Sequence, residues 1–235
     1  MDYSYIIFVV PALVLSIIAQ ILVKSRFNKY NRVVSERNIT GAQAASILLR
    51  ANGITDVQIR RVSGSLTDNY NPTDKTLNLS DSTFSSTSIA AIGVAAHETG
   101  HAIQHKVGYS PLKLRSTLVP VANIGSKFGP ILALAGLFFG YNYSESVGSI
   151  GQILLNVGIV LYAAAVLFYF ITLPVEFNAS RRALAILNDT NTLSTSELKG
   201  AKKVLSAAAM TYVASALAAL GSLLRYILLS KRRRR

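Results

Sequence analysis

Residues 95–105 read Ala-Ala-His-Glu-Thr-Gly-His-Ala-Ile-Gln-His and hold every histidine of the chain: His97, His101 and His105. Behind the apolar lead-in Ile89 to Ala96, this stretch predicts a helix from about Ser86 to Lys106. His97 and His101 are four positions apart, about 40° around such a helix, so both imidazoles can grip one ion. Zinc suits the pair. Its tetrahedral preference accepts two histidine nitrogens and a carboxylate oxygen and leaves one position for a water, whose pKa it lowers toward ~7. Glu98, beside the first histidine, is then the base that takes the water's proton and delivers it to a leaving amine. The bland alternative is two histidines that flank a glutamate by coincidence. It leaves an unpaired carboxylate behind an apolar helix turn, where burial is costly.

The third ligand must come from elsewhere. The chain has no cysteine, which excludes a thiolate ligand, a thiolate nucleophile and a disulfide framework. His105 shares the helix face, but the long metzincin pattern requires a glycine and then a histidine at positions occupied here by Gln104 and Val107. His105 therefore reads as a supporting or surface group. A carboxylate is needed, and Glu176 stands out in Leu173-Pro174-Val175-Glu176-Phe177-Asn178-Ala179-Ser180, directly after an apolar run. From the residues alone, Glu176 is either that ligand or a first-turn acid favoured by the helix dipole after Pro174.

Outward from these motifs the chain turns apolar. Of 235 residues, 51% are hydrophobic and 15% charged, with 24 Lys+Arg against 11 Asp+Glu and a net charge of +13. That balance excludes a disordered polycation and points to a bilayer rather than one large soluble core. Tyr5 to Val23 has the length of a membrane span. It reads as an uncleaved anchor, because no basic region precedes it. Lys24, Arg26, Lys29, Arg32 and Arg37 follow, which by the positive-inside rule places the next segment in the cytoplasm. Further apolar runs cover Leu118 to Gly140, Ile150 to Leu173 and Val204 to Leu229. The first of these contains Lys127 and two prolines, and reads as a broken span or a short one beginning near Phe128, with Lys127 at its boundary. Tyr141 to Val147 reads as a short external hairpin. Four crossings put the tail Lys231 to Arg235 outside, whereas five consecutive bases prefer the cytoplasm. Either the last helix does not cross fully or Lys199, Lys202 and Lys203 decide its orientation.

The expected organisation is therefore an anchor at 1–23, a cytoplasmic domain at 24–117, a transmembrane hairpin at 118–173, a cytoplasmic segment at 174–203, and a membrane helix with basic tail at 204–235. Within the cytoplasmic domain, Thr40 and Gln43 predict a capping box for a helix through Arg50, stopped by Asn52-Gly53. Val57 to Val62 and Lys75 to Ser80 predict short strands, the second offering an edge for peptide pairing.

Ala95 to His105, LPVEFNAS at 173 to 180, LTDNYNP at 66 to 72 and AAAMTYVASAL at 207 to 217 together resemble the YugP-like membrane zinc metallopeptidases, distant relatives of the HtpX and Ste24 type proteases. The resemblance implies that His97, His101 and Glu176 bind Zn2+ and that Glu98 is the catalytic base. It departs from the HtpX pattern E-x-x-A-D at Ser180, and from the expected His and Asp at Asn69 and Asn71. For the oxyanion donor, Tyr70, Tyr212 and His105 are candidates, and Asp68 is a candidate acceptor that would orient a histidine.

The whole reading is a mainly α, multi-pass cell-membrane protein with a small α+β zincin-like metalloprotease unit on the cytoplasmic face, an endopeptidase acting on protein or peptide substrates. The rival is a non-enzymatic, zinc-stabilised scaffold or adaptor whose basic tail meets anionic lipid. Nucleic acid is not an expected partner, because the bases cluster beside apolar runs and the aromatics are not interleaved with them.

Overall fold

The computed structural model describes residues 3–142 and 145–232. The expected hairpin at 141–147 and the tail at 231–235 thus lie partly outside the described residues. Helices α1 (Tyr3–Phe8) and α2 (Val10–Tyr30) precede α3 (Gly41–Ala51) and strands β1 (Gln58–Val62), β2 (Asn69–Asn71) and β3 (Thr76–Ser80). Then come α4 (Asp81–Phe84), α5 (Ile89–Lys106), α6 (Ser110–Asn142), α7 (Glu145–Asp189) and α8 (Thr195–Arg232). The chain divides into two compact units, one made of 1–18, 114–173 and 212–235, the other of 19–113 and 174–211.

Apart from the turn at Val9, the first unit is helical in its described residues. Its backbones approach closely wherever glycine removes a side chain. A Cβ at Gly136 would meet Leu155 N at 2.4 Å, and one at Gly158 would meet Ala133 N at 2.4 Å, so α6 and α7 pack through small residues as membrane helices do. Outward faces stay apolar, with Val160 69% and Ile153 62% exposed. Among the described residues, four helical stretches are long and apolar enough to cross a membrane: Tyr3–Tyr30, Ser110–Phe139, Ser149–Asp189 and Thr195–Lys231. In the first, Pro11 cannot donate a backbone hydrogen bond, which separates α1 from α2. Even so, Val9 N donates to Tyr5 O and Leu13 N to Val9 O, keeping the ladder running. The break expected in the second apolar run is absent: α6 continues through Pro120 and Pro130. Lys127 is exposed on the continuous α6 with its ammonium over the Phe128 ring.

In the second unit the capping box of α3 is present. Thr40 N donates to Gln43 Oε1 at 2.8 Å, Gln43 N donates to Thr40 Oγ1 at 3.2 Å, and Gly53 at φ 62° turns the chain after the helix. The three strands stand in the order β1-β3-β2, parallel in the first pair and antiparallel in the second. The strand expected to offer an edge, β3, is thus the central one, with Leu77 and Leu79 fully buried; the sheet edges are β1 and β2. Asp68 orients no histidine. It accepts from Ser80 N at 2.8 Å and Ser80 Oγ at 2.9 Å and so ties the β1–β2 loop to the start of α4.

Helix α5 starts later than Ser86 because residue 88 is held extended by its bridge to Val34, and the Ser88 hydroxyl caps Ala91 N at 3.1 Å. Buried on nearly all sides, α5 packs its Ile92, Ala95, Ala96 and Ile103 in one core with Leu48, Leu77, Leu187 and Leu205. It crosses α7 at Gly100, where a Cβ would lie 2.5 Å from Ala179 O. Gly100→Ala should force these backbones apart and cost about 1–3 kcal/mol. The check is a lowered thermal midpoint of the detergent-solubilised full chain, with Gly93→Ala, whose Cβ would meet side-chain carbon at 3.4 Å, as the milder comparison.

Candidate metal centre

Because α5 presents residues four apart on one face and α7 crosses it at Gly100, His97, His101 and Glu176 come together, their nearest nitrogen and carboxylate oxygen atoms all within 4.8 Å of one another. Both Nε2 atoms face the same oxygen: His97 Nε2 is 3.2 Å and His101 Nε2 3.5 Å from Glu176 Oε2. Tetrahedral bonds of ~2.0–2.1 Å separate neighbouring ligand atoms by roughly 3.3 Å, so the spacing suits one zinc-sized ion. The two rings stand edge to face, 4.8 Å between centroids.

The other nitrogens are also held. Gln104, fully buried, donates from Nε2 to Val175 O at 2.8 Å and to Asn178 Oδ1 at 3.0 Å. A backbone carbonyl only accepts, so the Gln104 amide orientation follows: its Oε1 faces His101 Nδ1 at 3.0 Å and must accept a proton from it. With Nδ1 committed as a donor, the neutral His101 ring would offer its Nε2 lone pair to a metal ion, whereas the protonated ring donates from Nε2 to Glu176. Asn178 Oδ1 also accepts from Arg182 Nε at 2.8 Å, which extends the chain of bonds along α7. His97 Nδ1 lies 3.1 Å from Ser180 Oγ. Ser180 is thus a neutral partner for the His97 ring.

Electrostatically the centre is an anion facing two imidazoles in a dry place. Burial alone pushes the Glu176 carboxyl up, but the hydrogen bonds from His101 and His97 outweigh it and hold the group well below the usual carboxylate range. For His101 burial pulls down, while Glu176, Glu98 and Gln104 together raise it above its ordinary value. Glu98 is 9% exposed, and no described residue hydrogen-bonds its carboxylate.

Of the remaining candidates, Tyr70 and His105 pair with each other, Tyr70 OH lying 2.7 Å from His105 Nδ1, beside a cavity of about 540 Å³ that Asp56, Lys75 and Lys106 also line. Burial, with Asp56 and Asp74 nearby, pushes the Tyr70 hydroxyl up to about 12, so it remains protonated at neutral pH. His105 is not among the three converging residues. Tyr212 belongs to the first unit. Gln104, Asn178 and Arg182 were not singled out in the sequence. The available signal was their spacing, Gln104 three residues beyond His101, Asn178 two beyond Glu176 and Arg182 four beyond Asn178.

Comparison with known proteins agrees with this chemistry. Residues 5–231 match the family described as "Putative neutral zinc metallopeptidase", and the chain belongs to that family. It is also 45% identical over 225 residues to the "Putative membrane protease YugP" of Bacillus subtilis (strain 168), an alignment that covers 96% of each chain. No solved structure matches it. The family implies Zn2+, and His97, His101 and Glu176 form a group able to hold it.

Partners that orient metal-binding histidines typically contribute 10–100-fold in metal affinity. Gln104→Leu should therefore weaken zinc retention by roughly that factor, and Ser180→Ala by less, while Ser180→Asp should hold zinc at least as tightly as the natural chain. Competition against a chromophoric chelator measures all three.

Proposed function

We propose that this chain is an integral membrane, zinc-dependent endopeptidase that hydrolyses peptide bonds of protein or peptide substrates. His97, His101 and Glu176 are read as the zinc ligands and Glu98 as the catalytic base. The observation that carries the reading is the approach of two Nε2 atoms to one buried carboxylate oxygen, next to a glutamate whose own carboxylate has no hydrogen-bond partner among the described residues. Zinc held there supplies Lewis acidity and lowers the pKa of a water toward ~7.

The protein's own groups do the rest. Glu98 accepts the water's proton as the hydroxyl oxygen adds to the scissile carbonyl carbon, and then passes that proton to the amine nitrogen as the C–N bond breaks. Gln104 keeps the His101 proton on Nδ1, which leaves Nε2 as a lone-pair donor throughout.

We read the α3–sheet–α5 part as a zincin-like unit. The segments 24–117 and 174–203 are assigned to the cytoplasmic side of a multi-pass cell-membrane protein, because their bases flank apolar runs on that side of the charge asymmetry.

Purified full-length protein should cleave a general peptide library and lose that activity to EDTA. Glu98→Gln should retain its zinc while turnover falls roughly 10²–10⁴-fold. His101→Ala should lose both. Wild-type turnover in Glu98→Gln would rule out Glu98 as the base, and bound zinc without hydrolysis in the natural chain would favour a zinc-stabilised scaffold instead.

A further inference from the structure

Two cavities lie side by side in the second unit, and neither is lined by His97, His101 or Glu176. One, of about 930 Å³, has Phe177, Ser180 and Arg181 of α7 facing Lys199, Lys202, Ser206 and Met210 of α8. The other, of about 450 Å³, uses Leu22 and Arg26 of α2 with Lys199, Lys202, Lys203, Ser206 and Met210. Lys199, Lys202, Ser206 and Met210 are common to both, so the two cavities share one face of α8.

Three features converge on one kind of occupant. No acid lines either cavity, although five bases do. Among the described residues, Arg26, Arg181, Lys199, Lys202 and Lys203 have neither an ion-pair nor a hydrogen-bond partner. The lining also changes character in the same sense along each helix. On α8 it passes from Lys199 and Lys202 through the Ser206 hydroxyl to Met210, about 16 Å further on. On α7 it passes from Arg181 through Ser180 to the exposed Phe177, and on α2 from Arg26 to Leu22. In every case the apolar end is the one nearer, along the chain, to an apolar run of span length.

We propose that this pair of grooves binds an anionic phospholipid, its phosphate held by Lys199, Lys202 and the flanking arginines, its ester region beside Ser206 and its acyl chains along Met210, Leu22 and Phe177. The order of cation, hydroxyl and apolar surface matches the order of groups along such a lipid, and basic pockets among membrane helices are suited to anionic head groups. A soluble phosphate would leave the apolar half unused, and an acidic peptide would leave the junction with the apolar runs unexplained. Ser180 lines the larger groove and also contacts His97 Nδ1, so an occupant would lie one side chain from the metal centre. The lipid site does not depend on the protein being a peptidase.

The test uses the full-length chain in neutral detergent, titrated with phosphatidylglycerol or phosphatidylcholine and followed by thermal midpoint and by native mass spectrometry of retained lipid. Phosphatidylglycerol should raise the midpoint by several degrees and phosphatidylcholine should not. Lys199→Gln with Lys202→Gln should weaken the phosphatidylglycerol response about tenfold or more, while Lys24→Gln with Lys29→Gln, equal in charge removed but outside both grooves, should change it less than about twofold. Both exchanges are at exposed side chains, so folding should survive. Equal responses to the two lipids would overturn the proposal, as would equal losses in the two double variants, which would indicate diffuse attraction only. Full competition by glycerophosphoglycerol or by a glutamate-rich peptide would overturn it in favour of a soluble anion or an acidic protein segment.

Discussion

A carboxylate taken out of water costs several kcal/mol unless positive charge or hydrogen-bond donors meet it. Glu176 is 2% exposed, and His97 and His101 are among the groups that meet it. The meeting depends on distance: α7 must approach α5 until its backbone nearly touches Gly100, because a carboxylate reaches only a few ångströms from its own helix. A side chain at position 100 would stand where Ala179 O now is. The glycine inside the histidine motif is thus as much a condition of the centre as the histidines are. The buried faces of both helices, with Ala95, Ala96, Ala179 and Ala183 fully covered, are small enough to let them close.

Once that crossing exists, the two rings differ in how they are held. His101 faces an amide whose orientation a backbone carbonyl fixes, and the bonds continue through Asn178 to Arg182. His97 faces a hydroxyl, which can donate or accept and rotates freely. The His101 side of the centre is therefore rigid and its tautomer set, whereas the His97 side is adaptable. Glu176 and Glu98 are the carboxylates that act on the His101 ring.

What could be read from the chain followed the range of the forces involved. The α3 capping box and its glycine stop are interactions over three or four residues, and they appear as expected. So do apolar helices of span length, since length and hydropathy are local sums. Strand order is not local: β3 sits in the middle because a three-residue strand, β2, returns to pair with it, and nothing in Thr76 to Ser80 announces that partner. Proline was over-read as a breaker in α6, where Pro120 and Pro130 each remove one hydrogen bond from a helix otherwise held by its close packing. Glu176 was legible as an acid in an unusual place, but its approach to the histidines, like the part played by Gln104, depends on residues some seventy positions apart.

The net charge of +13 gains a structural meaning when the acids are followed individually. Asp56 is paired with Lys75, and Asp81 with Arg61. Asp68 is spent on Ser80. Glu197 accepts from Glu36 N and Ser194 N and so secures the start of α8. Glu176 is inside the metal centre. Each acid named above already does a local task, and none of them answers Arg181, Lys199, Lys202 or Lys203. Unanswered cations beside apolar helices are stable where an external layer supplies the counter-charge, and a bilayer surface does so at about 1 kcal/mol per basic residue. The excess charge is set by composition, 24 bases against 11 acids, and the fold decides where it shows: the carboxylates that hold the loops and the metal centre together leave Arg181, Lys199, Lys202 and Lys203 for partners outside the chain.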